Sequence, residues 1–134
     1  MGHIHEFNPI IYPTRLWVAD RFATIDEIDE LFYGIDDNGE VVSFKDNYTQ
    51  DVCTMATTYP VSHKKTGGRG CLVIFHRRDM PLSTLNHEAS HCTDWLLSGL
   101  GIESGTTFTN GEARAYYSEW VWNRLYDVKQ GKVK

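Results

Sequence analysis

Hydrophobic positions along the chain follow two rhythms. Ile25, Ile28, Leu31 and Phe32 recur at helical spacing behind Thr24-Ile25-Asp26-Glu27. That tetrapeptide is a capping box: the Thr hydroxyl accepts the third helical amide and the Glu carboxylate reaches back. A short amphipathic helix is therefore predicted over residues 24–33. Leu82, Leu85, Ala89, Cys92 and Leu96 also step by three and four. They predict a helix over 81–98, with Pro81 suited to its first turn and Gly99 and Gly101 as stops. A last helix is expected from Asn110, a good N-cap, to about Asp127.

The other rhythm belongs to strands. Cys71-Leu72-Val73-Ile74-Phe75 is an unbroken apolar run and the strongest strand signal. Residues 52–61 are rich in Val, Thr and Tyr and are expected to pair antiparallel with it across the Gly-rich loop 64–70. Residues 10–19 predict a strand pair, or one strand broken near Pro13. Asp36-Asp37-Asn38-Gly39 predicts a turn, followed by a short strand over 41–44. The order of strands and helices implies an α+β fold, and no repeat or linker divides the chain.

Composition narrows the class. A chain of 134 residues is the size of one domain, residues 1–134. With 41% hydrophobic and 23% charged residues it has the balance of a globular protein, not a disordered one. No apolar run approaches the roughly 18 residues of a membrane span, so no membrane partner is expected. The net charge of -5 argues against nucleic acid as the main partner. Three cysteines, Cys53, Cys71 and Cys92, cannot all pair and lack C-x-x-C spacing. Met1-Gly2-His3-Ile4-His5-Glu6 has neither a basic nor an apolar leader region. A reduced, cytoplasmic setting is the expectation.

The chemistry concentrates in His87-Glu88-x-x-His91. Positions i and i+4 lie one above the other on a helix, so both imidazoles can converge on one cation. Glu88 is rotated by about 100° from His87, which places its carboxylate beside the metal, where it can act as a base towards water. His87, His91 and Asp94 fall on a different stripe from the apolar one. The alternative to a metal site is two ordinary helix histidines. Cys92 follows His91 but turns toward the core, as a small apolar filler. The N-terminal group of His3, His5 and Glu6 is metal-friendly, but a chain terminus favours adventitious binding or none.

A catalytic zinc site commonly has three protein ligands and one open position. Leu97 occupies the place of a third histidine in the extended H-E-x-x-H-x-x-G-x-x-H form, so that form is absent. His63 and His76 lie upstream of the motif. Downstream, Glu112 stands in Asn110-Gly111-Glu112-Ala113, with Glu119 as a second choice.

The combination of H-E-x-x-H with a Gly-Glu-Ala sequence on the next helix resembles the gluzincin branch of the zincin metallopeptidases, over residues 84–117. The resemblance implies one Zn²⁺ held by His87, His91 and Glu112, with Glu88 as catalytic base. It implies a small twisted mixed or antiparallel sheet, an active-site helix beneath it and a C-terminal helix bringing the third ligand. Thermolysin-type gluzincins carry an Asp four residues after the ligand Glu; here that position is Tyr116. Asp94 would then orient an imidazole or join the ligands, or be a solvated helix charge.

The function so implied is zinc-dependent hydrolysis of peptide bonds, with a peptide or protein as substrate. Tyr116 is a candidate oxyanion donor, ahead of Tyr117, His76 and His63. An extended peptide would add to a free sheet edge. The 71–75 strand, with Ile74 and His76, is the expected edge. His76-Arg77-Arg78-Asp79 would line the cleft or simply form a solvated turn, and loop 64–70 would be a lid or a plain hairpin connection. The aromatic crowd on the last helix reads as core first and as a homodimer surface second. The alternative function is a non-catalytic zincin-like metal-binding structural or interaction module, similar to minimal ones met in phage and mobile elements. The intact Glu88 favours the enzyme, because a structural site needs no base.

Overall fold

The computed structural model describes residues 3–9, 14–48, 55–77, 80–99 and 108–131, with the side chains of 97–99 and 108–113 outside the description. The chain runs β1 (Ile4–Phe7), β2 (Arg15–Ala19), α1 (Ile25–Leu31), β3 (Phe32–Ile35), β4 (Val41–Ser43), α2 (Phe44–Asn47), β5 (Ala56–His63), β6 (Arg69–Phe75), α3 (Leu82–Gly99) and α4 (Phe108–Lys129). The six strands form one mixed sheet in the order β1-β2-β6-β5-β3-β4. Only β2 and β6 are parallel, with Leu16 opposite Cys71 and Val18 opposite Val73. The architecture is α+β.

The sheet separates two apolar layers. Leu16, Val18, Ala56, Cys71, Val73 and Phe75 face α3 and α4, where Leu85, Ala89, Cys92, Leu96, Tyr117, Val121 and Leu125 meet them. Trp17, Ala19, Val61, Leu72 and Ile74 face the other way, onto Ile28, Phe32 and Phe44. The alternation along β2 and β6 follows the two-residue period of a strand. Both faces of β6 are therefore buried, which explains its unbroken apolar run. Gly70 is needed where β6 passes β2. A Cβ there would lie 2.1 Å from the Arg15 carbonyl oxygen and 2.8 Å from the Trp17 ring.

The capping box forms: Thr24 Oγ1 accepts from the Glu27 amide, and the Glu27 carboxylate accepts from the Thr24 amide. The helix ends at Leu31, earlier than expected, because Phe32 is drawn into β3 and pairs with His63. The 36–39 turn is present, with Gly39 at φ 79°. Phe44 belongs to α2, not to the preceding strand, and Ser43 caps that short helix. Strand β1 had no counterpart in the sequence reading. The expected strand segment over residues 10–13 and the start of the 52–61 strand fall outside the described residues. Strands β5 and β6 pair antiparallel across the 64–68 turn, as expected.

Two expectations are corrected. The 71–75 strand is not an edge; it lies between β2 and β5 at the centre of the sheet. Ile74 consequently points into the layer opposite α3, packed with Leu72 and Phe32. A run buried on both faces belongs inside a sheet, where neighbours satisfy both rows of backbone groups. Leu82, placed on the buried stripe by its spacing, is half exposed at the start of α3.

Candidate metal centre

The rest of the apolar stripe sets the roll of α3. Leu85, Ala89, Cys92 and Leu96 are buried against the sheet, which leaves His87 and His91 on an exposed flank. Their rings meet edge to face with centroids 4.6 Å apart. The two Nε2 atoms are 3.1 Å from each other. For nitrogen–zinc distances of about 2.0–2.1 Å, that separation corresponds to an angle of about 100° at the ion, close to tetrahedral. The contact has the length of a hydrogen bond between the two rings, and its donor type and spacing also fit zinc.

Glu88 lies on the inner side of the pair and is only 3% exposed. Its Oε1 accepts a hydrogen bond from Thr58 Oγ1 of β5 at 2.7 Å. A hydrogen bond to a charged group contributes about 1.5–3 kcal/mol, which helps offset the loss of water around a buried carboxylate. His87, Glu88, His91 and Trp95 line a cavity of about 400 Å³, closed on the sheet side by Ala56, Thr57, Thr58, Pro60 and Cys71. Cys92 sits behind it, and its thiol is pushed well up by a hydrogen bond with Cys71 and by burial. It is the inert filler its place on the helix predicts.

Strand β5 has an edge beside the cavity that is unpaired among the described residues. It pairs with β6 from Ala56 to Ser62, but with β3 only from Val61 to His63. The His76 amide donates to the Met55 carbonyl at 2.8 Å, which sets the alternation of the ladder. Residues 57 and 59 thus exchange bonds with β6, while Ala56, Thr58 and Pro60 turn their backbone groups toward the β3 side. The pairing of Gly34 with Val61 sets the Pro60 carbonyl against the Ile35 amide, while no described strand reaches Ala56 or Thr58. Pro60 is tolerated in mid-strand because its missing N–H falls where the pairing with β3 ends.

The other residues singled out in the sequence are spread more widely. Asp94 is exposed and its carboxylate accepts from Arg114 of α4. Glu112 lies near the start of α4, with its side chain outside the described residues. Glu119 is exposed and lines a separate groove with Asn86 and Ser90. Tyr116 is 67% exposed and is not among the residues lining the cavity. Tyr117 is buried in the α3–α4 core. His76 shares a 2.9 Å hydrogen bond with Thr57 Oγ1, and His63 stacks on Trp17. His3 and His5 both reach Asp20, while Glu6 accepts from the Trp17 indole. Among the described residues, no group of three or more His, Cys, Asp or Glu side chains is placed to hold a metal.

Thr58, Pro60 and Trp95 were not singled out from the sequence. Thr58 carried one signal: it shares two-residue spacing with Ala56 and Pro60, so a polar side chain was due on an otherwise apolar face. A second cavity, of about 350 Å³ between His5, Asp20, Arg77 and Lys129, includes no part of the histidine motif. No family model matches the chain, and no characterised protein or solved structure is significantly similar to it.

Proposed function

We propose that this chain is a zinc-dependent peptidase with a zincin-like core. One observation carries the proposal: the 3.1 Å approach of the His87 and His91 Nε2 atoms, beside the buried carboxylate of Glu88 in one cavity. His87 and His91 would hold the ion. Glu112 is the proposed third ligand, since a catalytic site needs a further donor and the described side chains supply none. Bound zinc supplies a Lewis acid that polarises a carbonyl and acidifies water.

The chain's own residues do the rest. A peptide adds as a strand along the side of β5 that no described strand covers, bonded to the backbone groups of Ala56 and Thr58. That route replaces the central strand β6 as the substrate edge. Glu88 takes a proton from the attacking water at a carboxylate oxygen and delivers it to the leaving amine nitrogen. Trp95 and Pro60 shield the reacting bond from bulk solvent.

The test is zinc content and peptide hydrolysis measured on the same preparations. The wild-type protein should hold one zinc and cleave an unstructured protein or peptide library. Glu88→Gln should keep the zinc and lose about 10²–10⁴-fold in kcat. Undiminished cleavage by Glu88→Gln would exclude the mechanism. The second reading is a non-catalytic metal-binding module. It is favoured by the lack of a third donor among the described residues, and zinc binding without any cleavage would establish it.

A further inference from the structure

The side chain and the backbone of Thr58 serve opposite needs. Its hydroxyl donates to Glu88 Oε1 at 2.7 Å, while its amide and carbonyl turn to the edge of β5 that no described strand covers. A threonine hydroxyl has one hydrogen to donate, and here it is committed to Oε1. The contact fixes Oε1 against β5 and so sets the rotation of the Glu88 carboxylate. Glu88 is buried, so water cannot substitute freely for this contact. Thr58 is thus bonded to the base on one side and open to an incoming strand on the other.

We propose that Thr58 is a positioning residue that couples strand addition at the β5 edge to the orientation of the Glu88 carboxylate. The inference rests on the peptidase reading and adds to it the means by which an extended substrate is recognised as extended. A peptide that reaches the Thr58 amide and carbonyl restrains the strand there. The hydroxyl oxygen is two bonds from Cα and sits in a staggered rotamer, so restraining the backbone of residue 58 also restrains the hydroxyl. Binding energy from residues away from the scissile bond then appears in kcat, not only in KM.

The experiment compares short peptides with peptides lengthened by two or three residues, using zinc-loaded wild type, Thr58→Val and Thr58→Ser. Valine keeps the branched shape and removes the hydroxyl. In the wild type, lengthening should raise kcat. In Thr58→Val, kcat on the long peptide should fall about ten- to a hundredfold, and lengthening should improve only KM. Thr58→Ser, which restores the hydroxyl, should recover most of the loss. Zinc content and thermal melting of each variant identify any that are misfolded. If Thr58→Val keeps the wild-type kcat and its length dependence while Glu88→Gln is inactive, the coupling is wrong and the peptidase reading stands. If Thr58→Ser is folded, zinc-loaded and as impaired as Thr58→Val, the hydroxyl is not the agent and the coupling is again wrong. If the zinc-loaded wild type cleaves no peptide of any length, the peptidase reading and the coupling fall together.

Discussion

Arg114 of α4 donates to Asp94 of α3, one helical turn beyond His91. The pair joins the far end of the motif helix to the early turns of the helix that carries Glu112. It lies partly in solvent, so its direct contribution to stability should be small.

A double-mutant cycle with Asp94→Ala and Arg114→Ala should give a coupling energy of about 0.2–1 kcal/mol, read from urea unfolding and reduced by added salt. Asp94→Ala should leave most of the zinc affinity in place, because the carboxylate is occupied by Arg114. A loss of zinc as large as that of a His91→Ala variant would return Asp94 to the ligand set.

Glu112→Ala should lower zinc affinity at least tenfold, measured by competition with a chromophoric chelator. Glu119→Ala should leave it unchanged, because Glu119 lines a different groove. The reverse pattern would make Glu119 the third ligand. Both variants should melt close to the wild type in the absence of metal.

Gly70→Ala should destabilise the protein by at least about 1–3 kcal/mol, the usual cost of forcing atoms into a packed core. The added methyl would overlap the Arg15 carbonyl. Backbone oxygen cannot turn aside as a flexible side chain can. Unfolding by urea measures the loss; a wild-type midpoint would contradict the close approach of β6 to the Arg15 carbonyl.

Tyr48 and Tyr59 pack beside Phe44 on the face of the sheet opposite α3. Burial raises both phenols above their ordinary value of 10.0, and for Tyr59 the neighbouring Tyr48 adds to the effect. The folded protein holds these protons more tightly than the unfolded chain. Their contribution to stability is therefore complete below about pH 10 and lost as pH rises through the folded values. Ultraviolet titration should show phenolate appearing later in the folded protein than in urea. Coincident titrations would contradict the burial.

Local chemistry was legible in the sequence wherever neighbours along the chain did the work. The Thr24 capping box and the helix under His87 and His91 follow from spacing within one element, and the antiparallel β5–β6 pair from two elements joined by a short turn. Phe32 shows the limit. It continues the apolar period of α1, yet a strand partner, His63, claims it. The run 71–75 was readable as a strand, but not as the central one, although burial on both faces was the available clue.

What the sequence determined by itself is the pair of imidazoles and the carboxylate between them, because helical geometry alone brings positions i and i+4 together. Tertiary structure decided which strand has an edge that no described strand covers and which hydroxyl meets Glu88, residues separated by 30 positions in the chain. Such contacts depend on the order in which strands assemble, and that order is set by burying the most apolar strand in the middle. No single stretch of sequence contains it.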